Sequence, residues 1–255
     1  MDDILHGRRA LVTGAASGIG RAVAVHLAEL GGEVIVSDLP GDALDLVAKQ
    51  TPVARAIPAD LSNPDEVGSL AAEAGDIAVL VNNAGLQHVC PVEEFPLDRW
   101  DRILAVMVTA PFLLTRALLP SMYEKGWGRV VNIGSVHGLV ASPYKVAYVT
   151  AKHGLLGMTK TIALEAAARC PDVTAHAVCP SYVRTPLVEG QIAEQAAVNH
   201  LPPEKVLSEV LLANNAVKRL IEPEAVAEVV ASLCGPMAWA MTGAVLPMDA
   251  GWLAH

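Results

Sequence analysis

Cysteine is scarce. Cys90, Cys170, Cys179 and Cys234 stand apart, with no CxxC pair and no histidine at zinc-ligand spacing. That scatter argues against a disulfide framework and a metal site, and leaves each thiol buried or idle. Positive charge is also in short supply: 18 Lys and Arg face 27 Asp and Glu, a formal net charge of −9. A nucleic-acid binder needs a basic stripe that this balance does not provide. Although 53% of the residues are hydrophobic, no window offers the roughly 18 uninterrupted apolar residues of a membrane helix. The opening MDDILHGRRALVTG runs directly into a strand pattern, which leaves no room for a signal peptide and makes the cytoplasm the expected compartment. Repeats and low-complexity runs are missing as well. What remains for 255 residues is one large globular domain, 1–255, rather than two.

Short β-branched runs alternate with longer helical patterns. The strand candidates are RALVTG (9–14), EVIVSD (33–38), PVARAIPA (52–59), IAVLVNN (77–83), GRVVNIGS (128–135), VTAHAVCP (173–180) and GAVLPMDA (243–250). Helical spacing falls near 18–31, 41–49, 63–74, 97–125, 148–169 and 223–234. Continuous apolar strands separated by helices predict a parallel sheet of about seven strands covered on both faces, with right-handed crossovers. This is a doubly wound, Rossmann-like α/β fold, which binds ligands at the carboxyl ends of its strands. The interval 184–216 departs from the rhythm, being helical with no strand after it until the C-terminus. Inserted past strand six at the ligand-binding face, it reads as a substrate lid. A plain helical hairpin packed on the body is the alternative.

The first strand ends in Thr13-Gly14-Ala15-Ala16-Ser17-Gly18-Ile19-Gly20. Glycines let a backbone turn tightly and approach a pyrophosphate, whose charge the following helix N-terminus then meets. The spacing is GxxxGxG rather than GxGxxG, and a purely structural glycine turn would look similar. Asp38, closing the second strand, lies where an acid can accept from the two ribose hydroxyls of a dinucleotide. Its charge would repel a 2′-phosphate and so favours NAD over NADP, and no arginine follows it in Leu39-Pro40-Gly41-Asp42. The other reading is a helix N-cap, which Asp42 could equally serve. Asp60-Leu61-Ser62 and Asn82-Asn83-Ala84-Gly85 fall at the same sheet edge, where small polar groups tie strands together or meet an adenine; each alone is ordinary turn chemistry.

Tyr148 and Lys152 are four residues apart in a helical pattern, and Ser135 precedes the tyrosine by thirteen. A helix brings positions i and i+4 to one face, setting the ammonium beside the phenol. A neighbouring positive charge lowers a phenol pKa that is otherwise about 10 and makes tyrosine a usable acid or base. A lone YxxxK is common; here it follows a phosphate-cradling loop.

With TGAASGIG, DLS, NNAG, Ser135, Tyr148-x-x-x-Lys152 and Pro180…Thr185-Pro186 in this order, the chain resembles the short-chain dehydrogenase/reductases over essentially its whole length. The resemblance implies hydride transfer at a nicotinamide, usually in a homotetramer. It implies that Ser135 bonds the substrate oxygen, that Tyr148 exchanges its proton, and that Lys152 tunes the tyrosine and holds the nicotinamide ribose. It also implies a cofactor site of Gly14, Ser17, Gly18, Ile19, Gly20 and Asp38, continued by Asp60, Leu61, Asn83, Ala84 and Gly85, and completed by Tyr148, Lys152, Pro180, Val183 and Thr185.

Segments 86–100, 126–142, 147–154, 185–192 and 249–255 are similar to the bacterial D-3-hydroxybutyrate dehydrogenase subfamily. That similarity implies that Gln87, His137, Lys145 and Gln191 bind a substrate carboxylate. The set makes chemical sense for a small hydroxy acid, since a lysine, a histidine and two amides supply charge and geometry around one anion. Each has a bland alternative: Lys145 a solvated loop lysine, His137 bonded to a carbonyl, Gln87 a turn cap, Gln191 facing water. Another hydroxy acid or a neutral alcohol or sugar stays open as the substrate.

Three residues depart from the family pattern. Met107 stands where members usually carry an asparagine held to kink the helix and position a proton-relaying water. A thioether bonds water poorly, so turnover is either supported by the backbone carbonyl or weakened, down to a chain that binds without catalysing. Ser181 replaces a usual glycine, and Tyr182 a usual subfamily tryptophan.

Overall fold

The computed structural model describes residues 4–50 and 55–254. Seven parallel strands form one sheet in the order β3-β2-β1-β4-β5-β6-β7: β1 (Arg9–Thr13), β2 (Glu33–Ser37), β3 (Arg55–Ala56), β4 (Val79–Asn82), β5 (Gly128–Ile133), β6 (Val173–Pro180) and β7 (Val245–Met248). The order reverses between β1 and β4, the switch point at which a doubly wound sheet opens a ligand crevice. Of the candidate third strand, residues 52–54 lie outside the described residues. Ile57 and Ala59 still donate to the carbonyls of Val36 and Asp38, so the pairing outlasts the strand.

Alternation along the strands divides the core in two. Leu11, Ile35, Leu80, Val130 and Ala175 pack with α3 (Pro64–Ala74), α5 (Ala110–Glu124) and α6 (Val146–Arg169). Their neighbours Val12, Val34, Val36, Val79, Val81, Val131 and Val178 pack with α1 (Gly18–Glu29), α2 (Asp42–Gln50) and α9 (Pro223–Ser232). Successive side chains point to opposite faces, and both faces are covered, so these strands read as unbroken apolar runs.

The expected helix at 97–125 is three pieces: α4 (Leu97–Leu104), a π-helical turn at Ala105–Thr109, and α5. By length and composition Leu97–Glu124 could cross a membrane; here α5 packs on α3, and α4 on α6. Past β6 the chain forms α7 (Pro186–Asn199), the short α8 (Pro203–Val206) and a π turn at Leu207–Leu211. This insertion has a small core of its own in Tyr182, Val188, Val206, Leu211 and Leu212, against which Trp252 packs.

Candidate active site

A cleft of about 490 Å³ opens at the carboxyl ends of β1, β4, β5 and β6. Its floor begins at the glycine turn. A Cβ on Gly14 would come within 2.6 Å of the Ala84 backbone, and one on Gly20 within 2.3 Å of the Gly14 carbonyl. Only glycine lets the turn and the NNAG segment close on each other this tightly. Asn83 sews them together, donating to the carbonyls of Thr13 (2.9 Å) and Gly14 (3.0 Å), while the Thr13 hydroxyl accepts from the N–H groups of Asn83 and Ala84. Ser17 caps α1 with no side-chain hydrogen bond of its own, and no acidic residue stands in that helix's first turn. These features fit a pyrophosphate: an open N-terminus, a free hydroxyl and a backbone with no side chain in the way. Gly18, at φ 51°, packs on the Thr185 methyl, which joins the turn to the base of α7.

Gly14, Ser17, Gly18, Ile19, Asp38, Asp60, Leu61, Asn83, Ala84, Gly85, Pro180, Val183 and Thr185 all line the cleft, as do Ser135, Tyr148 and Lys152. Gly20 does not; its place is beneath the turn, where it makes room for the Gly14 carbonyl. Asp38 accepts from the N–H groups of Ala16 (2.9 Å) and Leu39 (2.8 Å) rather than capping α2. Asp60 accepts from both the N–H and the hydroxyl of Ser62, which hold its carboxyl below the usual range, with Arg102 assisting. Arg102 and Arg99, brought in by α4, also line the cleft, and nothing in the sequence pattern had singled them out.

Ser135 follows β5, and Tyr148 and Lys152 project from the first turns of α6. An unforeseen bridge locks α6 to the sheet: Asn82 donates to Asn132 (2.8 Å), which donates to Thr159 of α6 (2.8 Å). The electrostatic expectation for the pair needs correcting. Lys152 Nζ lies 5.6 Å from the Tyr148 ring centroid and donates to the Ile133 carbonyl at 2.6 Å. Burial dominates, pushing the Tyr148 phenol up to about 12 despite its contact with the Ser135 hydroxyl. Burial likewise brings Lys152 down to about 8. The ammonium is therefore poised near the phenol, but burial rather than its charge dominates the phenol's pKa in the free chain.

Of the expected carboxylate ligands, only Gln87 lines the main cleft. His137, Lys145 and Gln191 are buried, at 3%, 2% and 7% exposure, which removes the solvated readings of Lys145 and Gln191. The His137 ring meets three others edge-on: Tyr148 at 6.2 Å, Tyr182 at 6.0 Å and Trp252 at 5.4 Å. Lys145 Nζ donates to the Tyr182 hydroxyl at 3.0 Å. Burial holds Lys145 down to about 8, and burial together with the Lys145 charge takes His137 down to about 3, keeping that imidazole neutral. Gln87 Oε1, His137 Nε2 and Gln191 Oε1 are all buried without a partner. Trp252 escaped the sequence reading as a site residue; only its place in the matching segment 249–255 pointed to it. Among the described residues, no group of three or more His, Cys, Asp or Glu is placed to hold a metal.

Fold and site together define a dinucleotide-binding oxidoreductase, and the chain belongs to the short chain dehydrogenase family, whose model matches residues 8–196. Among its relatives, a D-beta-hydroxybutyrate dehydrogenase of Rhizobium meliloti is 42% identical, covering 97% of this chain and 99% of the relative. A D-beta-hydroxybutyrate dehydrogenase of Cupriavidus necator is 41% identical over 99% and 100%. In structure the chain is similar to a single-residue variant of actinorhodin polyketide ketoreductase with NADPH, with a TM-score of 0.91 at 30% identity and full coverage of both chains.

Proposed function

We propose that this chain is an NAD-dependent dehydrogenase interconverting D-3-hydroxybutyrate and acetoacetate, with 1–255 as one catalytic domain and 184–216 as its substrate lid. The observation that carries the reading is the group of unmet polar atoms on Gln87, His137 and Gln191, together with the buried ammonium of Lys145. Buried polar atoms without partners cost stability and call for a ligand that meets them. A small carboxylate suits this set, because Lys145 supplies the charge and the Gln87 amide, turned about its terminal bond, presents its NH₂. Gln191 would exchange its present bond to the Leu187 carbonyl for one to the ligand. Fixing the carboxylate there fixes which face of the hydroxyl-bearing carbon meets the cofactor.

When bound, the dinucleotide supplies the hydride acceptor or donor. Asp38 supports NAD, since its carboxylate at the cleft would repel a 2′-phosphate. Ser135 donates to the substrate oxygen. Tyr148, protonated with its phenol near 12, is ready to give its proton to a ketone in the reductive direction. In oxidation it takes the hydroxyl proton as phenolate, and the Lys152 ammonium, held by the Ile133 carbonyl, stabilises that charge. Self-association into a homotetramer is part of the same proposal. Leu164 on α6 (76% exposed) and Phe112 on α5 (49%) offer it apolar surface, and a sedimentation mass of a single chain would reject it.

The test is the initial rate of NADH formation with each enantiomer of 3-hydroxybutyrate, with butan-2-ol and NADP as controls. The D enantiomer with NAD is expected to be fastest. A preference for the neutral alcohol, or silence with both enantiomers, sinks the assignment.

A further inference from the structure

We propose that the Tyr182 hydroxyl is a further substrate-binding group, accepting a hydrogen bond from Lys145 and presenting its own proton to the substrate carboxylate. The inference rests on the hydroxy-acid reading above. Tyr182 stands two residues past the end of β6 and is 6% exposed. Its ring stacks on Trp252 with centroids 6.0 Å apart and planes inclined by 24°, and it faces the edge of His137. Its rotamer is therefore fixed by packing.

Lys145 Nζ is 3.0 Å from the Tyr182 oxygen and 5.0 Å from the ring centroid. Among the described residues, no carboxylate stands within ion-pair distance of Lys145. A buried ammonium in contact with only a neutral hydroxyl is a charge awaiting an anion. A phenol that accepts one hydrogen bond still has its proton to give, and no described residue takes that proton. Burial pushes the Tyr182 phenol well up, so the proton stays on. Donation from the ammonium polarises the O–H and strengthens its bond to an anion. An indole, donor only, could not accept from Lys145. Tyrosine at 182 thus adds a hydroxyl donor linked to the remaining N–H donors of the ammonium, which ties selectivity for a carboxylate to this side chain.

Tyr182→Phe keeps the stack and removes the hydroxyl. The measurement is calorimetric titration of propionate, with propionamide as control, into the NAD-loaded protein. Tyr182→Phe is expected to weaken propionate about tenfold, the loss of one hydrogen bond to a charged group, while propionamide and NAD affinities stay within about twofold. The KM for hydroxybutyrate should rise by the same factor with kcat little changed. Propionate affinity within twofold of wild type overturns the proposal, as does a wild type that binds propionate no tighter than propionamide.

If stripping the ammonium of its acceptor prevents folding, Lys145→Met with and without Tyr182→Phe removes that cause. A further severalfold loss of propionate in the double variant is expected, and no further loss overturns direct donation. Tyr182-dependent propionate binding in a protein that oxidises neither enantiomer would leave this inference standing and discard the hydroxybutyrate reading alone.

Discussion

Lys145 shows how much one residue's surroundings matter. A lysine before a tyrosine reads as a loop cation; buried against Tyr182 and near a neutral His137, it is a charge with almost no water. Lys145→Ala is expected to raise the KM for hydroxybutyrate roughly 10- to 100-fold, the worth of a charge-assisted contact, with the KM for NAD within about twofold. Steady-state kinetics in both substrates checks this, and equal rises in the two constants would count against the carboxylate site. Because burial holds Lys145 at about 8, its charge is present at pH 7 and is lost above pH 8. The KM for the hydroxy acid should climb across that limb in the wild type and stay flat in Lys145→Ala. At Asp38, the expected outcome of Asp38→Ala is a narrowed preference for NAD over NADP, read as the ratio of the two kcat/KM values.

At the scale of elements, the segment around Met107 is the most informative. The family's asparagine is absent, yet the helix is still opened by a π turn at Ala105–Thr109, a feature often found at functional sites. Met107 is 1% exposed and fills the core beneath Gly85. Met107→Asn would bury an amide in an apolar site, so a loss of about 1–3 kcal/mol in stability is expected, with kcat raised at most a few-fold. Thermal unfolding and turnover separate the two effects; a gain in kcat of a hundredfold or more would identify Met107 as a broken relay. For the insertion, α7 and the π turn at Leu207–Leu211 should exchange amide hydrogens more slowly when NAD and substrate are both present. Exchange unchanged by ligand would return this segment to a plain helical hairpin.

For the whole molecule, two buried histidines set the acid limit. Both His137 and His176 are held neutral, at about 3 and about 4, principally by burial. Above pH 6.5 they are neutral in both folded and unfolded chains and contribute nothing to the pH dependence. As pH falls below 6.5 the unfolded chain takes up protons that the folded chain refuses until pH 4 or 3. Stability is therefore lost on acidification, by about 1.4 kcal/mol per pH unit per histidine. The melting temperature should fall between pH 7 and pH 5, and His176→Gln should remove about half of that slope. A melting temperature flat over this window would mean that both rings are protonated in the folded state.

The unbroken apolar strand runs between helical patterns, the glycine turn and the order of the motifs made the sheet and its crevice legible from the sequence. Strand geometry and backbone sterics are local properties, and local properties are written in neighbouring residues. The helical insertion at 184–216 was legible for the same reason. The break at Ala105–Thr109 was not, because a π turn answers to packing rather than to propensity. Nor could spacing alone reveal that Lys152 reaches the Ile133 carbonyl, or that burial outweighs its charge at Tyr148. The linkage of Lys145 to Tyr182, and of Tyr182 to Trp252, joins residues far apart in the chain. By itself the sequence determined which side chains are available and at which end of the sheet they emerge. Only the tertiary structure decided which of them are dry, and in a site built from ionisable groups desolvation sets the protonation states that its chemistry depends on.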